Sequence, residues 1–204
     1  MHANQNLLPA PKKLTVTYIT TADALASCIQ ELVQVKEIAF DLEFDRDNYT
    51  YGFNLCLIQI ASANHCYLID AKAGLNISLI FPLLENKAIH KVVHCSSEDL
   101  RLLHFLKCYP TNLADTELYA KLLNYERTSL GAMIQQLFGI ELDKKMQKVN
   151  WGLRPLSQQQ LNYAANDVLY LLQMKAELEK QVAVKNMLPF CKKRTTCSPP
   201  LSTV

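Results

Sequence analysis

Asp41 and Glu43 stand on alternate positions of the run Ile38-Ala39-Phe40-Asp41-Leu42-Glu43-Phe44, and alternate residues of a β-strand share a face. The other face carries Ile38, Phe40, Leu42 and Phe44, an apolar row that sets the register and leaves the two acids side by side, roughly 6 to 7 Å apart along the chain. Two carboxylates held that close and partly dried raise each other's pKa unless a cation compensates. The pair therefore asks for a divalent metal ion, an arginine or full exposure to water.

Three further acids bear on that choice. Asp167 follows Tyr163 by four residues on a helical stretch, so the two share a face. Its neighbours one turn away, Tyr163, Ala164, Tyr170 and Leu171, bring no lysine or arginine within reach. A charged acid in such a place must be neutralised, paired from a distance or bound to a metal. Asp99 lies just past an apolar strand in His94-Cys95-Ser96-Ser97-Glu98-Asp99-Leu100; with Ser96 as N-cap it occupies the third helical position, where favouring the helix dipole is explanation enough. Asp115, ahead of Thr116, reads most simply as a helix N-cap. In combination, Asp41, Glu43, Asp99 and Asp167 supply four negative charges from separate elements, which matches two divalent ions roughly 3.5 to 4 Å apart. That arrangement serves in-line displacement at phosphorus, the chemistry of phosphodiester hydrolysis.

The elements that must position these acids follow from the patterning. Leu14 to Ile19 reads as a strand, and Thr20 or Thr21 caps a helix running to about Val35. After the acidic strand, Asp45 to Asn54 is a polar and aromatic loop, followed by a strand pair, Leu55 to Ala61 and Cys66 to Ile69. A helix is expected over Ile77 to Leu84, a strand over Ala88 to His94, a helix over Ser97 to Phe105 and a short strand near Leu113. Helices over Thr116 to Leu123 and Ser129 to Phe138 come next, the latter stopped by Gly139. Glu141 to Pro155 is a basic connector, and the capping-box pattern of Ser157 with Gln160 starts one long helix reaching about Val184. The layout is mixed α/β.

A chain of 204 residues with 50% hydrophobic content suffices for one sizeable core and is short for two. The organisation expected is a loose N-terminal segment over 1–13, a domain over 14–185 and a disordered tail over 186–204. A net charge of +2 is too small to announce a nucleic-acid partner by itself. Seven cysteines form no C-x-x-C pair, so reduced thiols packed as small hydrophobes are expected. Nothing resembles a signal peptide or a membrane span, which points to a soluble cytoplasmic protein with no membrane partner.

These residues also resemble a family, the ribonuclease D group of 3′-to-5′ exonucleases, in which four acids are joined by a tyrosine in the last motif. The first motif is similar to Phe40-Asp41-Leu42-Glu43-Phe44, the second to His94-Cys95-Ser96-Ser97-Glu98-Asp99-Leu100 and the third to Tyr163-Ala164-Ala165-Asn166-Asp167-Val168. Supporting stretches are Leu57-Ile58-Gln59-Ile60, Asp115-Thr116, Leu142-Asp143-Lys144-Lys145, and Trp151 followed by Arg154-Pro155-Leu156 and Gln160. The similarity runs from about Leu14 to Leu178. It implies an RNase H-like fold, a mixed twisted sheet flanked by helices, with the acids binding two Mg²⁺ or Mn²⁺ ions. Asp41, Glu43 and Asp167 would hold one ion, Asp41 and Asp99 the other, and Tyr163 would orient the nucleophilic water. A phenol with a pKa near 10 is a poor base at neutral pH and a good hydrogen-bond partner, which suits that role.

The activity so implied is hydrolysis from the 3′ end of single-stranded nucleic acid, RNA or DNA with RNA favoured, releasing nucleoside 5′-monophosphates. A DNA exonuclease of repair or proofreading, or a non-catalytic binding module on the same fold, are the alternatives. Ribonuclease D proper carries helical modules after its nuclease domain, and none is expected in this sequence. For substrate contact, Lys144, Lys145 and Arg154, with Lys148, are candidates to meet phosphates. Phe44, with Tyr49, Tyr51 and Phe53, is a candidate to stack bases. Each group reads equally as solvated surface or core. His94 and His65 are expected to be structural, Trp151 to anchor the connector, and oligomeric state stays open.

Overall fold

A computed structural model of the chain describes residues 7–46, 52–143, 145–146, 149–185 and 187. In chain order the elements are β1 (Thr15–Ile19), α1 (Ala22–Leu32), β2 (Glu37–Arg46), β3 (Phe53–Ala61) and β4 (His65–Asp70). A 3-10 turn (Ile77–Ile80) then runs into α2 (Phe81–Glu85), followed by β5 (His90–Val93), α3 (Ser97–Phe105) and β6 (Leu113–Asp115). Four helices close the domain: α4 (Thr116–Leu122), α5 (Leu130–Phe138), α6 (Gln158–Leu169) and α7 (Leu171–Val184).

The strands form one mixed sheet in the order β1-β4-β3-β2-β5-β6. β2, β3 and β4 pair antiparallel, while β1 with β4, β2 with β5 and β5 with β6 are parallel. The apolar row of β2 is buried as its alternation demands: Ile38, Phe40 and Leu42 join Ile58 and Ile60 of β3 in a core beneath α1, α2 and α3. The opposite face, carrying Ala39, Leu57, Ala61 and Leu68, packs on Ala164 and Val168 of α6 and Leu171 of α7. A third cluster joins α4, α5 and α7 at one flank. The sheet is thus sandwiched between helices.

Four details differ from the sequence expectations. β2 continues through Asp45 to Arg46 and β3 begins at Phe53, so both ends of the polar segment read as a loop are strand, with 47–51 outside the described residues. The long last helix is two helices broken at Tyr170, which caps one and opens the other. The helix expected over Ile77 to Leu84 begins as a 3-10 turn, with a proline in the first turn of α2. Residues 7–9, part of the segment read as loose, lie against the helical flank: Leu8 N–H donates to Leu137 O at 2.7 Å, and Gln173 donates to Pro9 O. Among the described residues, no helix is long and apolar enough to cross a membrane.

Candidate active site

β2 pairs with β5 only through Glu37, Ile38 and Ala39. Beyond that point the strand loses its neighbour on one side, and Asp41 and Glu43 project where the sheet has split. Asp41 stands opposite Gln59 and Glu43 opposite Leu57 on β3, and the register shifts immediately after Glu43. α6 lies over this face. Its first turn is fixed by the capping box, with Ser157 Oγ accepting from Gln160 N–H at 3.2 Å and Gln160 Oε1 accepting from Ser157 N–H at 2.9 Å. That places Tyr163 and Asp167 over the acidic strand. One carboxylate oxygen each from Asp41, Glu43 and Asp167 lie within 4.8 Å of one another.

The trio is electrostatically uncompensated. Burial pushes Asp41 up to about 7, and burial with the charges of Asp41, Asp167 and Asp99 lifts Glu43 well above the usual carboxylate range. Asp167 is raised by burial and by Asp41. Asp99, 8% exposed, is pushed up to about 9 by burial and then by Asp41, Asp115 and Glu98. Among the described residues, no lysine or arginine is a cause of the shift at any of the four. Hard oxygen donors converging without a cation among the described residues fit a divalent metal ion, whose charge would bring the carboxyl groups back into ionised form. Tyr163 keeps its proton firmly, through burial and the charges of Asp167, Glu43 and Asp41.

Asp99 reaches the site from α3, and a second carboxylate sets where that helix starts. Asp115 caps α4 by accepting from Glu117 N–H at 2.9 Å, and it also accepts from Cys95 N–H, Ser96 N–H and Ser96 Oγ, each at 3.0 Å. Ser96 therefore spends its hydroxyl on Asp115 and makes no side-chain cap bond to α3. Cys95 adopts the left-handed region, φ 56°, in the turn so formed. His94 packs beside it: Thr116 donates its hydroxyl hydrogen to Val93 O and leaves a lone pair for His94 Nδ1 at 2.8 Å. That assignment makes Nδ1 the protonated nitrogen.

Asp41, Glu43 and Asp167, with Tyr163, open into a cavity of about 680 Å³, whose lining does not include Asp99. One wall is Thr128, Ser129, Leu130 and Gly131 at the start of α5, and another comprises Glu117, Leu142 and Asp143. Sequence reading missed the α5 wall, because only the fold carries that loop to the split edge of the sheet.

The candidate substrate contacts are dispersed. Phe44 is half-buried and packs edge-on to Phe53 at 5.0 Å, part of the core beneath the acids. Lys145 is exposed, 3.9 Å from Asp143. Lys144, Lys148, Tyr49 and Tyr51 lie outside the described residues. The reading of Arg154 as a phosphate contact is corrected: all five of its N–H donors are committed inside the protein. Nε and Nη2 bind Asp70 at 2.7 and 2.5 Å, Nη2 also reaches Cys56 O, and Nη1 reaches Trp151 O and Leu153 O.

A mixed six-stranded sheet sandwiched between helices, with acids on an inner strand, is the architecture of the RNase H-like class of α/β folds. Residues 16–183 match the family model described as 3′-5′ exonuclease, and the chain belongs to that family. Ribonuclease D of Escherichia coli is 35% identical over 175 residues, covering 84% of this chain and 46% of that protein. Ribonuclease D of Haemophilus influenzae is 38% identical over 169 residues, covering 81% and 42% respectively. The crystal structure of E. coli RNase D superposes with a TM-score of 0.80 at 34% identity, over 87% of this chain and 48% of that one. The catalytic core of RRP6 from Trypanosoma brucei gives 0.83 at 28% identity, over 94% and 54%. The chain thus spans less than half the length of the ribonuclease D proteins it matches.

Proposed function

We propose that this chain is a metal-dependent 3′-to-5′ exonuclease that hydrolyses phosphodiester bonds at the 3′ end of single-stranded RNA and releases nucleoside 5′-monophosphates. The observation that carries this reading is the convergence of Asp41, Glu43 and Asp167 within 4.8 Å, uncompensated by a cation among the described residues and next to Tyr163. Asp41, Glu43 and Asp167 would hold one Mg²⁺ or Mn²⁺ ion, and Asp41 with Asp99 a second. Bound divalent ions supply a water of lowered pKa and offset the charge that develops at phosphorus. Tyr163 stays protonated, so its hydroxyl acts as a hydrogen-bond partner that aims the attacking water. Asp115 holds the turn before α3 and so fixes where Asp99 enters. Preference for RNA is supported by the relatives, one of which is described as an exoribonuclease involved in structured RNA processing. The five described cysteines are free thiols, consistent with work in the cytoplasm.

The test is digestion of matched RNA and DNA oligonucleotides labelled at the 5′ end, with Mg²⁺, Mn²⁺ or chelator. The expected pattern is a ladder shortening from the 3′ end of RNA, absent in Asp41→Ala and Asp167→Ala while both variants remain folded. Activity surviving in both variants would remove the acids from the chemistry. Faster loss of DNA would reassign the substrate.

A further inference from the structure

We propose that the buried Asp70–Arg154 pair is a positioning device for Tyr163, acting through Trp151; the inference rests on the catalytic reading above. Asp70 closes β4 with a side chain only 3% exposed. It accepts from Arg154 twice, from the Tyr18 hydroxyl and from Lys72 N–H. Burial alone would push its carboxyl up, yet Arg154 and Tyr18 hold it below the usual range. Arg154 is the other half of the clamp. Two donors grip Asp70 and one grips Cys56 O on β3, so the guanidinium is anchored to the sheet. The remaining two hold Trp151 O and Leu153 O, which fastens the connector ahead of α6.

Trp151 is the payload of that connector. Its side chain is buried, in the cluster that includes Ala164 and Val168 of α6. Its ring centroid lies 6.1 Å from that of Tyr163 at an interplanar angle of 40°. Its indole N–H is buried without an acceptor, so shape rather than hydrogen bonding holds the ring there. Tyr163 is thereby confined between Trp151 on one side and the acidic trio on the other. Local helix geometry fixes the Tyr163 Cα but leaves its ring free to choose a rotamer. A tightly held indole removes that choice, and aim of the hydroxyl is what the reaction needs from this residue. Lysine cannot reproduce the clamp, because an ammonium offers three donors at one point where the guanidinium offers five in a plane.

Arg154→Lys and Tyr163→Phe, singly and together, test this on the whole chain. Arg154→Lys is expected to lower kcat about tenfold or more with KM within about twofold, a misplacement effect, and to leave Mn²⁺ affinity unchanged. In the Tyr163→Phe background, Arg154→Lys should cost nothing further. Losses that multiply would overturn the proposal, since they mark independent sites. Trp151→Phe should retain most of kcat and Trp151→Ala should not; equal losses would also overturn it. If Arg154→Lys does not fold, Asp70→Asn carries the same cycle. An arm independent of activity uses Trp151 as the sole tryptophan: its emission should be several-fold more quenchable by acrylamide in Arg154→Lys than in the parent, and unchanged quenching would defeat the clamp. A parent chain that degrades no oligonucleotide, with quenching altered as expected, would instead overturn the nuclease reading and with it the catalytic role given to the clamp.

Discussion

Asp41 is the acid whose charge the other three feel in common. It raises the pKa of Glu43, Asp99 and Asp167 alike, so it sits at the crossing of all three interactions. Replacing it by asparagine removes the central charge while keeping the shape. Asp41→Asn is therefore expected to abolish nuclease activity and, in chelator at pH 8, to raise the melting temperature by about 2 to 4 °C, the change that about 1 kcal/mol brings in a domain of this size. Scanning calorimetry of parent and variant decides it, and a lower melting temperature would mean that Asp41 is satisfied without metal. The pair itself was legible from the chain, because the row Ile38, Phe40, Leu42 admits one register only. Arg154 was not. Its partner Asp70 is 84 positions away, and a lysine-rich neighbourhood looks the same whether a guanidinium faces solvent or is bound on every side.

At the scale of elements, α6 delivers two of the five proposed site residues, and its start is set by one exposed serine. Ser157→Ala leaves Gln160 and the first-turn N–H groups without their partner, an effect of about 1 kcal/mol. The expected outcome is a matching loss of stability in urea titration, with activity of the folded fraction kept, because α6 is also held by Ala164 and Val168, the neighbours of Tyr163 and Asp167, packing with Ala39 and Leu57. A large loss of activity at full folding would assign the cap a direct part in aiming α6. Capping residues made this start readable, as did Gly139 at the end of α5, where φ is +70°. The break at Tyr170 left no such mark: the residue stays in the right-handed helical region, and no glycine or proline announces the change of direction. The strand ends at Arg46 and Phe53 were hidden for a similar reason, since Asp45, Arg46 and Asn54 are polar residues of the kind that loops carry.

For the molecule as a whole, the acidic centre makes stability depend on pH and metal together. Native Asp41 and Asp99 keep their protons up to about 7 and about 9, whereas an unfolded aspartate releases its proton near 3.9. Across that interval the native state binds more protons, so without metal its stability falls as pH rises from about 5 to 9. Saturating Mn²⁺ or Mg²⁺ should flatten or reverse the trend, since metal competes with those protons and binds more tightly as pH rises. Melting temperatures measured across this range, with chelator and with Mn²⁺, check it; a rising curve in chelator would show that the acids are compensated by the protein.

The split assembly of the centre has one more outcome. Asp41 and Glu43 belong to the second strand made, whereas Tyr163 and Asp167 arrive only with the penultimate helix. During synthesis, which proceeds from the N-terminus, a chain still attached to its ribosome has every strand of its sheet made before the helix that completes the centre. If the proposed activity holds, the nascent chain is in this way born unarmed, among the messages and transfer RNAs that are making it.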